Sequence, residues 1–313
     1  MSKKFRLVAD FGGTHARIAL AKSGKLYFIE KKRYKKSDNA TKILSDYLLN
    51  KNVQLNSIRI SAAGPLDNLK IQLTNSQLVI SYKELSKLFG ITNINLFNDA
   101  EAACLAIPYL KDKSLIALSK KTNQFKTYGF ITLGTGLGVS AIKCLNNKNI
   151  VISGEGGYSH LPSIKNDELF SKATQLISKS FPRISCERII SGPGLELLFS
   201  ALVKIHGLKN LTPKSEEIII TALSDFKSIE YKACTMVLNL LGSFAATVTL
   251  IYGARGGMFL SGGLLQRMLP IITNSNLTQH FYIEGRMKKY INEIPLYIIN
   301  DDLVSLKGCV QSL

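Results

Sequence analysis

The two halves of this 313-residue chain repeat one local pattern: a short apolar strand, a turn rich in glycine and threonine, and a second short apolar strand. The first copy spans residues 5–21 and turns at 12–14, and the second spans 129–142 and turns at 134–138. A repeat of this kind indicates duplicated domains. Because helical stretches alternate with the strands, the pattern predicts α/β domains with mixed sheets flanked by helices.

Chain length also favours two domains, facing each other across a cleft, because the chain is long for a single hydrophobic core. A helical stretch from Ala100 to Ile107 ends at Pro108. Proline cannot continue a helix, so the boundary between the domains is predicted close to this residue.

The formal net charge of +18 raises the question of a nucleic-acid surface. The lysines are spread along the chain, however, and only 31–36 is dense in them, with no recognisable nucleic-acid-binding motif nearby. The charge pattern therefore predicts a solvated basic face and no nucleic-acid partner.

An uncharged apolar stretch at 233–254 has about the length of a membrane-spanning helix. Polar side chains recur through it, and Gly253 and Gly256 interrupt it before a short strand. The stretch is therefore predicted to be a buried helix of an α/β domain, with no membrane partner.

Cysteine usage and the N-terminal residues predict a cytoplasmic protein. The five cysteines are odd in number, scattered, and show no metal-ligand spacing. The apolar run at 7–9 is too short for the hydrophobic region of a signal peptide. Reduced thiols serving as small core residues fit this pattern.

Both glycine turns qualify as phosphate cradles. Glycine after a strand lets backbone N–H groups converge on an anion, because no side chain obstructs the approach. Neither turn is a Walker loop, since no Gly-Lys-Ser/Thr follows. Glycine hairpins are also common in other settings, so neither turn alone identifies a nucleotide site.

Two acidic positions each allow two roles. Asp10 ends the first strand, where it either holds Mg²⁺ through water or caps the turn with an Asx hydrogen bond. Asn98 and Asp99 end another strand and begin a helix. They act either as a helix cap or as a general base beside an amide that orients a hydroxyl.

Six motifs occur in order, at 10–17, 98–99, 134–138, 154–157, 187–194 and 261–263. Together they resemble the bacterial glucokinase family, and the similarity spans the whole chain, including 74–75 and 285–308. The resemblance implies a two-lobed actin-like ATPase (ribonuclease H-like) sugar-kinase fold with an interdomain cleft. The expected domains are 1–108 plus 301–313, and 109–300.

The resemblance also implies phosphorylation of glucose by ATP with Mg²⁺, in an enzyme that often forms homodimers. Asp99 is the expected base for the 6-hydroxyl, and Asp10 is expected to act through Mg²⁺. The expected sugar ligands are Asn98, Asp99, Glu155, Tyr158, Glu187, Asn75 and Gly64. The expected nucleotide-binding residues are Gly12, Gly13, Thr14, Gly134, Thr135, Gly136, Gly138, Gly262 and Gly263.

One departure from the family pattern bears on the sugar site. The family has histidine three residues after the glutamate that matches Glu155, whereas this chain has Tyr158 there, and the nearest histidine is His160. Tyr158 is expected to line the sugar pocket. In an extended segment, however, residues 158 and 160 would project to the same side, which makes His160 the alternative ligand.

The departure at Tyr158 leaves the preferred sugar open, so the alternative within kinases is an enzyme for another hexose or an amino sugar. A non-enzymatic sugar sensor of the same fold usually carries an added DNA-binding domain, and the sequence is expected to begin directly on its first core strand. A chaperone-like ATPase would lack the carboxylates Asp99, Glu155 and Glu187.

Overall fold

The computed structural model describes residues 4–35, 38–73, 77–119, 122–146, 148–162, 164, 167–208, 212–282 and 285–312. Its contacts divide the chain into two compact units. Unit 1 comprises Met1–Lys111 and Asp301–Leu313, and unit 2 comprises Asp112–Asn300.

The strands and helices are numbered in chain order. The strands are β1 (Lys4–Phe11), β2 (His15–Lys22), β3 (Lys25–Arg33), β4 (Gln54–Ala62), β5 (Leu66–Asp67), β6 (Lys70–Gln72), β7 (Val79–Ser81), β8 (Ile94–Asn98), β9 (Leu115–Ala117), β10 (Thr127–Leu133), β11 (Leu137–Leu145), β12 (Lys148–Gly154), β13 (Gly257–Ser261) and β14 (Leu296–Ile299). The helices are α1 (Ala40–Leu48), α2 (Tyr82–Phe89), α3 (Asp99–Ala106), α4 (Glu168–Ser178), α5 (Cys186–Ile189), α6 (Gly192–Ile205), α7 (Ser215–Ser224), α8 (Ile229–Tyr252), α9 (Gly263–Arg267), α10 (Leu269–Ile272), α11 (Leu277–Tyr282), α12 (Lys288–Ile291) and α13 (Val304–Gln311).

Unit 1 is built on a mixed sheet in the order β3-β2-β1-β4-β8. Strand β1 runs antiparallel to β2 and parallel to β4, and β4 runs parallel to β8. Parallel strands end at the same edge of a sheet. The last residues of these three strands, Phe11, Ala62 and Asn98, therefore meet at one edge, and the first glycine turn follows there.

The C-terminal helix α13 packs on α3 and β1 within unit 1. Gly308 permits this approach, because a Cβ at that position would lie 1.6 Å from the carbonyl oxygen of Ala102. The guanidinium of Arg6 on β1 donates to the carbonyl oxygens of Val310 at 2.9 Å and Ser312 at 2.7 Å. These bonds satisfy carbonyl groups at the end of the helix, where no intrahelical partner exists.

Unit 2 is built on a mixed sheet in the order β12-β11-β10-β13-β14-β9. Strand β10 runs antiparallel to β11 and parallel to β13, which is the arrangement that β1 has with β2 and β4. The repeat in the sequence therefore corresponds to the same three-strand arrangement in both units. The predicted mixed sheets flanked by helices are confirmed.

Helix α8 is the uncharged apolar stretch of the sequence. By length and composition it passes the test for a membrane-spanning helix, and 67% of its most apolar window is buried inside the protein. Residues on most of its circumference contribute to the core of unit 2, including Val237, Leu238, Leu240 and Ala246. A helix that is apolar all round is typical of a protein core, which agrees with the predicted buried helix.

Candidate functional site

The first glycine turn joins β1 to β2 in unit 1. The N–H of Gly12 donates to the carbonyl oxygen of His15 at 3.0 Å, and the hydroxyl of Tyr34 donates to the carbonyl oxygen of Gly12. Gly13 and Thr14 at the tip are exposed, and a Cβ on Gly13 would meet no atom within 4 Å. Hydrogen bonds therefore hold the base of the turn, while its tip remains exposed. The role of Tyr34 has no signal in the sequence, because it follows β3 and reaches the turn only in the folded sheet.

Asp10 lies at the end of β1 and is 8% exposed. Its Oδ1 accepts a hydrogen bond from the Ser61 hydroxyl at 2.8 Å, and its Oδ2 lies 3.6 Å from the guanidinium of Arg17. Burial raises the pKa of Asp10, while the Ser61 bond and the Arg17 charge oppose that shift. Within the described contacts its oxygens therefore meet β4 and β2, rather than forming the Asx turn that the sequence also allowed.

Asn98 ends β8 and is the N-cap of α3. Its Oδ1 accepts from the N–H of Ala100 at 2.9 Å, and its Nδ2 donates to the carbonyl oxygen of Gly64 at 3.0 Å. Burial raises the pKa of Glu101, and a hydrogen bond from the backbone of Asn98 opposes that shift. The helix cap predicted as one alternative for Asn98 is present. The cap fixes the orientation of the Asn98 amide, and this is compatible with a role in ligand binding.

Asp99 is the first residue of α3, and its Oδ1 accepts from the N–H of Ala100 at 2.9 Å. Its carboxylate is thereby oriented at the sheet edge where β1, β4 and β8 end. Gly64 follows β4, and a Cβ there would lie 2.1 Å from the carbonyl oxygen of Gln72. Only glycine fits at this position. Asn75, the other sugar ligand expected nearby, lies outside the described residues.

The second glycine turn joins β10 to β11 in unit 2. The N–H of Gly134 donates to the carbonyl oxygen of Gly136 at 3.0 Å, and the N–H of Gly192 donates to the carbonyl oxygen of Gly134 at 2.8 Å. Thr135 at the tip is exposed. The turn therefore presents an accessible tip above a hydrogen-bonded base, as the first turn does in unit 1.

Gly262, after β13, approaches the base of the second glycine turn. Its φ of 113° suits only glycine, and a Cβ there would lie 2.1 Å from the carbonyl oxygen of Leu133. Helix α9 begins directly afterwards, at Gly263. The structure thus brings together two of the groups that the sequence assigned to nucleotide binding.

A short 3₁₀ turn, Gly156–Tyr158, follows Glu155 and packs on the start of β11. A Cβ on Gly157 would lie 2.2 Å from the carbonyl oxygen of Leu137, and one on Gly156 would lie 3.2 Å from the Val139 side chain. The two glycines let the turn lie directly on the strand. Glu155 and Tyr158 remain exposed at its ends.

Glu187 lies in α5 beside the second glycine turn. Its Oε2 accepts a hydrogen bond from the backbone N–H of Leu137 at 2.9 Å. The charge of the same side chain is the largest cause of the raised pKa of Tyr158. Burial and the charge of Glu155 raise that pKa further. Three predicted sugar ligands, Glu155, Tyr158 and Glu187, are therefore neighbours.

The segment after the 3₁₀ turn is joined to the segment before α5. The N–H of Cys186 donates to the carbonyl oxygen of Ser159 at 2.9 Å, and the Cys186 thiol donates to that of His160 at 3.3 Å. Arg183 donates to the carbonyl oxygen of Tyr158 at 3.1 Å. These bonds fix Tyr158 and Glu187 relative to one another.

The segment from Tyr158 to His160 is not extended throughout, as a shared side for the two side chains would require. Tyr158 ends a 3₁₀ turn, so the extended geometry assumed for residues 158 and 160 is wrong. The Nδ1 of His160 lies 3.0 Å from the carbonyl oxygen of Leu161. The argument from a shared side therefore fails at Tyr158, while His160 as the alternative ligand stays a prediction.

Comparison with known proteins gives matches along the whole chain. The family model described as Glucokinase matches residues 7–313. Glucokinase of Escherichia fergusonii is 31% identical over 310 residues, which cover 97% of this chain and 95% of that protein. Glucokinase of Shigella flexneri matches to the same extent.

Solved structures give the same result. Glucokinase from an Antarctic psychrotroph has a TM-score of 0.86 at 25% identity, covering 98% of each chain. Glucokinase from Balamuthia mandrillaris, solved in complex with glucose, has a TM-score of 0.79 at 20% identity, covering 98% of this chain and 92% of that chain. At that identity the second likeness shows the fold alone.

Proposed function

This chain belongs to the glucokinase family, as the six motifs indicated, and from that membership we propose how its residues carry out the reaction. The enzyme transfers the γ-phosphate of ATP to glucose and forms glucose 6-phosphate. The observation that carries this conclusion is the family match over residues 7–313. The actin-like ATPase sugar-kinase fold predicted from the motifs is confirmed by the structural neighbours.

Asp99 is proposed as the general base. The N–H of Ala100 holds its Oδ1 at 2.9 Å, so the carboxylate keeps one orientation while it accepts the proton of the 6-hydroxyl. Asn98, held by Gly64 at 3.0 Å, orients a sugar hydroxyl beside it. Gly64 and Asn75 are proposed to complete the sugar contacts from unit 1.

Glu155, Glu187 and Tyr158 are proposed as further sugar ligands. A carboxylate accepts two or more hydrogen bonds, which suits the rigid pairs of hydroxyls on a hexose. Tyr158 lies close enough to Glu187 for that carboxylate to raise the pKa of its phenol. In this role it replaces the imidazole of the family pattern.

The two glycine turns are proposed to hold the triphosphate, because their exposed tips offer backbone N–H groups without side chains in the way. Gly262 and Gly263 are proposed to border the adenosine. With donor and acceptor both fixed, the γ-phosphorus and the 6-hydroxyl oxygen are kept in line for transfer. The residues assigned to the turns are Gly12, Gly13, Thr14, Gly134, Thr135, Gly136 and Gly138.

Asp10 fits the proposed magnesium role. Mg²⁺ in kinases is usually bound by one or two carboxylates together with substrate phosphates and water. Asp10 offers one carboxylate next to the first glycine turn, fixed by Ser61 and Arg17. In the described part of the chain no three His, Cys, Asp or Glu side chains gather into a larger cage. When bound, the ion would neutralise phosphate charge.

A cytoplasmic homodimer without nucleic-acid or membrane partners is proposed as the working form. The family resemblance supports the dimer. The scattered lysines support the absence of a nucleic-acid partner, and the buried α8 supports the absence of a membrane partner. Size-exclusion chromatography with light scattering tests the dimer, and a filter-binding assay with duplex DNA and RNA tests for a nucleic-acid partner.

The second candidate is a kinase for another hexose or an amino sugar, and Tyr158 is the observation that favours it. ADP release with ATP and Mg²⁺, measured for glucose, mannose, fructose and N-acetylglucosamine in turn, distinguishes the two. A kcat/KM that is highest for glucose supports the first candidate. If none of the added sugars raises ADP release, both kinase candidates are overturned and a sugar sensor is favoured.

A further inference from the structure

The segment from Glu187 to Gly192 holds the second glycine turn at both of its ends. The N–H of Gly192 donates to the carbonyl oxygen of Gly134 at 2.8 Å. The Oε2 of Glu187 accepts from the N–H of Leu137 at 2.9 Å. A side chain assigned to sugar binding is therefore a hydrogen-bond partner of a turn assigned to nucleotide binding.

A side chain at Gly136, between these two points, would displace the Glu187 carboxylate. A Cβ there would lie 2.8 Å from Oε2 of Glu187, closer than Cβ atoms approach an oxygen in folded proteins. Gly136 does not have the positive φ that would by itself demand glycine. Among the described atoms, the Glu187 carboxylate is thus the group that a larger residue here would move.

Both backbone polar groups of Leu137 contact segments that carry proposed sugar ligands. Its N–H donates to Glu187, and its carbonyl oxygen lies under Gly157 of the 3₁₀ turn that carries Tyr158. Its side chain is 3% exposed. Displacement of the sugar-binding groups would therefore move the first residue of β11, where the glycine turn ends.

We propose that Glu187 is a positioning residue for the second glycine turn as well as a sugar ligand, so that glucose and nucleotide strengthen each other's binding through this carboxylate. The proposal rests on the function proposed above. A carboxylate has about four acceptor sites, so Glu187 accepts from a sugar hydroxyl without releasing Leu137. Sugar that fixes the carboxylate also fixes the turn, and coupling of this kind is reciprocal.

The test measures binding without turnover. Isothermal titration calorimetry gives the Kd of ADP with Mg²⁺, alone and at saturating glucose, for wild type and variants. The wild type is expected to bind ADP at least about fivefold more tightly with glucose present, the lower end of typical coupling. Gly136→Ala is expected to reduce this ratio to below about twofold and to raise the Kd of glucose alone.

Gly134→Ala is the matched comparator in the same turn, because its Cβ would meet no atom within 4 Å. It is expected to change ADP affinity at most, and to keep the glucose Kd and the coupling ratio of the wild type. Tyr158→Phe removes the exposed hydroxyl beside the Glu187 carboxylate, and is expected to lower the ratio without unfolding the protein. It serves as the second variant if Gly136→Ala does not fold.

Loss of glucose binding in folded Gly136→Ala also supports the proposal, because the change lies in the nucleotide turn. Wild-type coupling in the folded variants, or a ratio near one in the wild type, overturns it. Failure of the function is distinguished by activity. A wild type that phosphorylates glucose but shows no coupling contradicts this inference alone, whereas one that phosphorylates no hexose contradicts the proposed function.

Discussion

The buried carboxylate of Asp10 accepts a hydrogen bond from the hydroxyl of Ser61 at 2.8 Å, across the parallel pair β1 and β4. Burial raises the pKa of Asp10 in spite of this bond and of Arg17. An ionised Asp10 therefore costs folding free energy at neutral pH. A group with this cost is retained where a negative charge has a use, such as holding a cation beside phosphate.

We expect Asp10→Asn to lower kcat/KM at least about tenfold, since one tenfold step needs only about 1.4 kcal/mol of lost transition-state stabilisation. The same change is expected to raise Tm by about 1–3 °C at pH 7.5, because it removes the desolvation cost. The gain should shrink as pH falls through the raised pKa of Asp10 towards the ordinary value of 3.8, where the wild type is neutral too. Differential scanning fluorimetry at pH 7.5 and pH 5 measures it. A lower Tm at pH 7.5 would mean that the Arg17 pair outweighs burial.

Asp99→Asn separates the role of Asp99 as a general base from its hydrogen bond to the N–H of Ala100. Asparagine keeps an Oδ1 that accepts from Ala100, but it cannot take a proton from the sugar. We expect kcat to fall by about 10²–10⁴, the usual contribution of a positioned base, with the Kd of ADP unchanged. Steady-state kinetics and calorimetry measure the two. A kcat above about a tenth of wild type would show that Asp99 serves mainly the start of α3.

Asn98→Ala removes the N-cap of α3 and the bond to Gly64 together. We expect a cost of about 0.5–2 kcal/mol in stability from the cap, and a rise in the KM for glucose that exceeds the fall in kcat. Asn98→Ser keeps a capping oxygen but cannot reach Gly64 in the same way. It should restore most of the stability and little of the glucose affinity. If Asn98→Ser restored stability and glucose affinity equally, Asn98 would have a purely structural role.

Tyr158→His restores the family residue, and we expect it to lower the KM for glucose. One well-aligned neutral hydrogen bond is worth about 0.5–1.5 kcal/mol, which corresponds to roughly a two- to thirteenfold change in Kd. His160→Ala is the matched control and should change the KM little, because His160 is exposed and contacts the Leu161 carbonyl. A large loss in His160→Ala would make His160 the sugar ligand.

Gly308→Ala tests the packing of α13. The new Cβ would lie 1.6 Å from the Ala102 carbonyl oxygen, so α13 or α3 must move. Overpacking typically costs about 1–3 kcal/mol, and we expect Tm to fall by at least about 3 °C. Gly285→Ala, whose Cβ meets no atom within 4 Å, is the control and should leave Tm unchanged. Equal Tm values for both would show that the approach of the two helices relaxes easily.

The sequence predicted the strands and glycine turns well because each is encoded locally. The apolar runs before Asp10 and before Gly134 are short, and glycine follows each of them within about three residues. Their periodicity and their ends are therefore visible within about ten residues. The helix after Asp99 was predicted one residue late at each end, since Ile107 and Pro108 form a 3₁₀ turn instead. Propensity does not distinguish these two helix types at a terminus.

The contacts within the candidate site could not be predicted in the same way. Glu187 and Leu137 are 50 residues apart, and their bond exists only because α5 packs beside the second turn. The 3₁₀ turn at Tyr158 depends on Gly157 fitting against Leu137, a tertiary contact without a local signal. Arg17 was visible within the first motif, but its partner Asp10 became identifiable only from the β1–β2 register.

Unit 1 contains the first and the last described residues of the chain, whereas unit 2 is continuous in sequence. Translation runs from the N-terminus, so the ribosome releases α13 after every other described helix. Unit 2 has all its residues available earlier and is able to fold first. A nascent chain arrested before residue 304 would therefore expose the apolar surfaces of α3 and β1 that α13 covers. Those surfaces would mark the incomplete chain for chaperones and proteases.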